Sequence, residues 1–197
     1  MNPASVYNTT AKILHWLMAG LIICMLVSGW IMTAENILDG HEKSIVLQVH
    51  KSVGMVVLTL GLLQLAWRLL NPSPPFPKHM ALWEKILARM THVILYGLTL
   101  IMPLVGWMII STLPHNFLFF GLFPIPNLPV LHDLPNKKDI REVLENIHGT
   151  LAWVVIAFIT FHAGAAMKHH FINRDDILLR MSPQFFGRIL RYLRGGV

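Results

Sequence analysis

Eleven histidines occur in this 197-residue chain, and four of them fall inside or at the edges of long apolar runs: His15, His50, His148 and His162. A neutral imidazole offers one lone pair to a metal and one N–H to an acceptor, and it titrates near neutrality. Ionisable groups within apolar runs are costly, so each is a candidate for function. His148 and His162 are fourteen residues apart, close to four helical turns. On a helix they share one face, about 21 Å apart along the axis. What such residues can do depends on the elements that carry them.

Hydrophobic residues make up 54% of the chain and charged residues 13%, with a mean hydropathy of +0.56. An ordinary soluble domain is about 25% charged. The composition excludes a typical soluble domain and disorder, and it indicates side chains that face lipid. Four runs reach the roughly 20 residues needed to span a bilayer: 13–33, 49–70, 90–113 and 147–171. Pro103 lies inside the third and predicts a kink. The expected fold is all-α: a four-helix transmembrane bundle with short interfacial helices, forming a single membrane domain over 1–197. The first run lacks a small-residue cleavage site and reads as a retained helix. Cys24 excludes an internal disulfide and any CxxC motif, and reads as a buried, inert thiol.

The connections differ in character. Residues 34–48 are polar and acidic. Residues 71–77 (NPSPPFP) turn the chain, and 78–89 read as an interfacial lead-in. In 114–146 the first half is apolar but broken by prolines, which suits a loop over one end of the bundle. The second half (NKKDIREVLEN) reads as a short helix entering the fourth span. Residues 172–197 form a basic interfacial tail, in which FFGRILRYLR suggests an amphipathic surface helix. Basic residues divide 11 to 5 between the two sides, the richer side holding both termini. The positive-inside rule then puts both termini in the cytoplasm. The net charge of +6 needs no nucleic-acid partner.

Topology sets the depth of each histidine. His15 and His162 come near the inner level, and His50 and His148 come near the outer level. Facing bis-histidine pairs are a natural way to hold a haem between helices. Gly20, Gly54, Gly149 and Gly164 would let a flat macrocycle approach the backbone. Each histidine alone could be a core residue bonded to a carbonyl; the concordant depths favour two haems. No compact cluster with zinc-ligand spacing is present. His92 is either a rival ligand or an interfacial or supporting residue. His41, His79, His115 and His132 read as solvated loop residues. The tryptophans mostly fit the aromatic belts. His169, with Lys168 and His170, sits about 10.5 Å beyond His162 on nearly the same face. There it could hydrogen-bond a quinone carbonyl and move protons, or anchor the chain at the lipid headgroups.

The motifs LHW around His15, VHKSVG around His50, ENIHGTLAW around His148 and FHAGAAMKHHF around His162, followed by DDILLRMSP, resemble those of bacterial cytochrome b561. PSPPFP and FFGLFPIP support the resemblance, which covers nearly the whole chain. It implies two non-covalent b haems, held by His15 and His162 on the cytoplasmic side and by His50 and His148 on the periplasmic side. It also implies a bacterial inner-membrane location. One branch of the family is a superoxide oxidase, passing electrons from periplasmic superoxide through the haems to ubiquinone. The family's quinone-contacting histidine matches His169, with Lys168 beside it where a small residue is expected. Because the first outer connection is acidic, Lys51, Lys137, Lys138 and Arg141 would have to supply the field that attracts superoxide. The alternatives are an electron-transfer subunit or anchor for a partner redox protein, and a haem-free structural or transport protein.

Overall fold

The computed structural model describes residues 6–35, 37–132 and 134–195. Four helices are long and apolar enough to cross a membrane: α1 (Thr9–Thr33), α2 (Gly40–Leu70), α3 (Leu82–Ser111) and the helix beginning at Lys137. Between α3 and that helix lie two short strands, β1 (Phe117–Phe119) and β2 (Phe123–Ile125), and a one-turn helix, α4 (Pro129–His132). The fourth long helix, α5 (Lys137–Met167), runs into a π-helical turn at Lys168–Ile172. Two short helices follow, α6 (Ile177–Met181) and α7 (Gln184–Leu193).

Burial supports the membrane reading. Met18 is the one buried residue of α1, and Ile13, Ile23, Val27 and Trp30 are all exposed. A water-soluble bundle would not leave so much contiguous apolar surface uncovered. Cys24 is likewise exposed rather than buried. In a bundle that turns apolar side chains outward, lying in an apolar run does not imply burial within the protein.

The helices extend beyond their apolar runs, because hydropathy marks the membrane while caps mark the helix. Asp39 and Glu42 form a capping box: Asp39 Oδ1 accepts from Glu42 N at 2.8 Å, and Glu42 Oε2 accepts from Asp39 N at 3.1 Å. This starts α2 at Gly40, inside the segment expected to be a connection. Similarly, Glu84 Oε2 accepts from Ala81 N at 3.3 Å, and α3 absorbs most of the expected lead-in. NKKDIREVLEN is the first third of α5 rather than a separate helix. The surface helix expected near the C-terminus is present as α7.

Helix α3 continues through Pro103, which is buried. Proline cannot bond the carbonyl four residues back, that of Thr99. Here α2 comes close: a Cβ on Gly61 would lie 3.1 Å from both Leu100 and Thr99 side chains. Glycine permits that approach.

Helix α1 packs on α2, α2 on α3, and α3 on α5, whereas α1 and α5 are not closely packed among the described residues. A seam therefore runs along α5, between it and the α1–α2 pair. One end of the bundle gathers the first described residues, the 71–80 connection and the C-terminal elements. There Tyr7 Oη meets Ser73 Oγ at 3.1 Å, Tyr7 N donates to Arg180 O at 3.3 Å, and Arg180 Nη1 donates to Pro75 O at 2.6 Å. The other end is covered by the proline-broken segment. It pairs as an antiparallel hairpin, Phe119 opposite Phe123, turned through Phe120 and Gly121 at positive φ. Phe120 N donates to Ser52 Oγ at 2.9 Å, Gln48 Nε2 donates to Leu118 O, and Trp107 Nε1 donates to Pro126 O at 3.1 Å. Phe and Ile favour strands, and Pro124 is tolerated in so short a ribbon.

Candidate functional site

The seam brings the four histidines together in two pairs. His15 on α1 and His162 on α5 have ring centroids 6.1 Å apart, toward the end holding the termini. His50 on α2 and His148 on α5 have centroids 6.5 Å apart, toward the hairpin end. Two imidazoles bound to one metal from opposite sides, each nitrogen about 2 Å away, have centroids roughly 6 Å apart. Both separations match. Among the described residues no group of three His, Cys, Asp or Glu side chains could hold a metal ion by itself. An iron at either pair would need its other ligands from a macrocycle. The donor set therefore fits haem.

The surroundings support that fit. A Cβ on Gly20, Gly149 or Gly164 would meet nothing within 4 Å. Gly54 faces Met25 instead, with its virtual Cβ 3.5 Å from Met25 Cε. Two further glycines, which composition did not single out, sit against the rings. A Cβ on Gly29 would lie 3.7 Å from His50 Cε1, and one on Gly106 would lie 3.4 Å from His148 Cε1. His148 Nδ1 is buried without a hydrogen-bond partner among the described residues.

The His50 ring is oriented by Ser28. Ser28 Oγ lies 3.0 Å from Met25 O and 2.8 Å from His50 Nδ1. The carbonyl can only accept, so the hydroxyl proton goes to Met25 and His50 Nδ1–H donates to Ser28. That leaves the Nε2 lone pair free, the tautomer a metal ligand needs. Sequence spacing offered no sign of Ser28, because the contact joins two helices.

His92 belongs to the pair nearer the termini. Its ring lies edge-on to His162 at 5.1 Å, closer than two ligands across one iron. Its Nδ1–H donates to Ala88 O at 2.6 Å. This geometry makes His92 a neighbour that packs against His162.

Lys168, His169 and His170 point to three different partners. Lys168 Nζ donates to Glu84 Oε1 on α3 at 2.6 Å and lies over the Trp83 ring. It is turned to α3 and does not bond His169. His169 Nδ1 meets Asp175 Oδ2 at 2.6 Å. His170 is fully buried, and its Nε2–H donates to Leu190 O at 3.0 Å, which ties α7 to the bundle. The π turn, closed by Asn173 N donating to Lys168 O at 3.1 Å, breaks the 3.6-residue register that grouped them.

Lys51, Lys137, Lys138 and Arg141 lie on the hairpin-end portions of α2 and α5. Arg141 Nε is 4.0 Å from Glu145 Oε1, so its charge is partly compensated. Of the histidines expected in loops, His41 is in the first turn of α2 and exposed, and His115 is exposed in a bend. His79 is exposed but 4.0 Å from Asp175. His132 closes α4, and its side chain lies outside the described residues.

A family model described as prokaryotic cytochrome b561 matches residues 6–184. The chain is 30% identical to cytochrome b561 homolog 2 of Escherichia coli strain K12 over 183 residues, covering 91% of this chain and 93% of that protein. It is 29% identical to cytochrome b561 homolog 1 of the same organism over 186 residues, covering 90% and 97%. It is 27% identical to a protein of Yersinia pestis named probable superoxide oxidase CybB over 172 residues, covering 87% and 92%.

Proposed function

The chain belongs to the prokaryotic cytochrome b561 family of b-haem membrane electron-transfer proteins, and from that premise we propose that it is a dihaem superoxide:ubiquinone oxidoreductase. The observation that carries this reading is the pair of imidazole pairs, at 6.1 and 6.5 Å, set about 21 Å apart along α5. His15 and His162 would hold one haem, and His50 and His148 the other. When bound, each haem supplies reversible one-electron chemistry. If two histidines held each iron, substrate would exchange electrons with the haem without binding the metal.

The basic majority at the end holding the termini supports a cytoplasmic position for that end in a bacterial inner membrane. Superoxide then gives up electrons at the hairpin end, and quinone is reduced at the other. Two superoxide anions, one quinone and two protons become two dioxygen molecules and one quinol. The chain's own residues orient and attract: Ser28 fixes the His50 tautomer, and Lys51, Lys137, Lys138 and Arg141 raise the local concentration of the anion. His169 offers a nitrogen to the quinone. Support for superoxide comes from the similarity to the protein named probable superoxide oxidase.

The second reading is an electron-transfer subunit that takes electrons from a partner redox protein. It is favoured by the acidic balance of the hairpin end, where Glu35, Asp39, Glu42, Asp139, Glu142 and Glu145 outnumber the five basic residues. Stopped-flow mixing of the purified oxidised protein with superoxide, followed by ubiquinone, separates the two. Rapid haem reduction and then reoxidation is expected. Haem reduction only by a co-purifying protein would favour the subunit.

A further inference from the structure

We propose that His79, Asp175 and His169 form a proton-uptake relay to the quinone, a step that rests on the assignment of His169 as the quinone contact. The turn after the π segment is built to return Asp175 onto His169. Arg174 takes a left-handed conformation at φ 53°, and Asp175 N donates to His169 O at 3.1 Å. Asp175 Oδ2 then reaches His169 Nδ1 at 2.6 Å, and both side chains are more than nine-tenths buried. Asp175 Oδ1 accepts from Ile177 N at 3.0 Å, and Arg194 Nη1 donates to Asp175 O at 2.8 Å. Asn173 Nδ2 lies 3.2 Å from His169 Nδ1, and His169 Nε2 makes no hydrogen bond among the described residues.

A buried carboxylate is costly, and holding the start of α6 does not require one, since an asparagine oxygen accepts equally well. A carboxylate hydrogen-bonded to Nδ1 can hand a proton to the ring as Nε2 hands one on. Several other charged groups at this end of the bundle have partners of their own. Glu84 is paired with Lys168 at 2.6 Å, Asp176 with Arg194 at 3.2 Å, and Arg180 donates to Pro75 O. His79, on the connection before α3, differs. Its Nε2 is 4.0 Å from Asp175 Oδ2, and its side chain is 68% exposed. A small movement closes a path from water to the buried dyad.

The chemistry balances. As quinone gains electrons, the His169 Nε2–H bond breaks and a quinone O–H bond forms. This leaves Nδ1–H donating to ionised Asp175. The His169 ring then turns, presenting its remaining N–H to the quinone and its emptied nitrogen to Asp175, and a proton taken from water through His79 and Asp175 refills that nitrogen before the second transfer. Two cycles supply the two protons that accompany the two electrons into quinol.

The test uses the holoprotein with its haems reduced, mixed with a short-chain ubiquinone across a pH series. Ferricyanide, which takes no proton, serves as the control acceptor. Asp175→Asn should slow reoxidation by quinone on the order of 100-fold at saturating quinone. Half-saturation and the ferricyanide rate should stay near wild type. His79→Ala should slow it most at alkaline pH and recover with added imidazole. If Asp175→Asn loses its haems, His79→Ala decides alone. Wild-type rates and pH profiles in the variants would overturn the relay. His169→Gln distinguishes the two levels: a quinone response unchanged in that variant sinks the quinone assignment itself. A slowed His169→Gln beside unaffected Asp175 and His79 variants sinks only the relay.

Discussion

Ser28 on α1 holds the ring of His50 on α2, with 2.8 Å between Ser28 Oγ and His50 Nδ1, while its own proton goes to Met25 O. The contact sets the tautomer of a proposed haem ligand from a neighbouring helix. Ser28→Ala should therefore weaken the haem at the hairpin end selectively. Loss of a partner hydrogen bond to a metal-bound histidine typically costs 10–100-fold in affinity. Haem titration of the apoprotein, with redox titration of the loaded one, checks this. Equal affinity and an unchanged lower-occupancy component would refute it.

His50→Ala or His148→Ala should remove the haem at the hairpin end while the other largely survives. His15→Ala or His162→Ala should do the converse. Haem per protein, measured as the pyridine complex, should fall from about two to about one in each. Two haems retained in any of the four variants would break the assignment.

His92 separates ligation from packing. Its ring lies 5.1 Å from that of His162, against 6.1 Å between His15 and His162. His92→Ala should keep both haems and alter only the spectrum or potential of the one nearer the termini. Loss of a haem would make His92 a ligand.

Gly106 lies where a Cβ would come 3.4 Å from His148 Cε1. Alanine should be accommodated. Leucine would overpack the ring position, a change that usually costs about 1–3 kcal/mol. Gly106→Leu should lower the occupancy of the haem at the hairpin end, read from its absorption spectrum. Full occupancy would show that His148 can move aside.

Charge at the hairpin end should set the encounter rate with superoxide. Reversing Lys51 or Lys138 to Glu should lower the second-order rate of haem reduction. It should also weaken its decline with ionic strength. Reoxidation by quinone should not change. A salt-independent wild-type rate would remove the attraction these residues are proposed to provide.

The amino-acid sequence by itself determined the four spans, since a bilayer selects helices by length and hydropathy. It also determined which histidines share a depth, because α-helical rise turns residue number into height. Those properties are local. The tertiary structure decided everything that depends on one element meeting another. It turned the proline-broken segment into a hairpin seated on Ser52, and it packed His92 against His162. It paired Ser28 with His50 and set Gly106 against His148. At the end of α5 a π turn sent Lys168, His169 and His170 to Glu84, Asp175 and Leu190. No periodicity encodes such contacts. They depend on the crossing of helices and on a turn whose register departs from 3.6 residues.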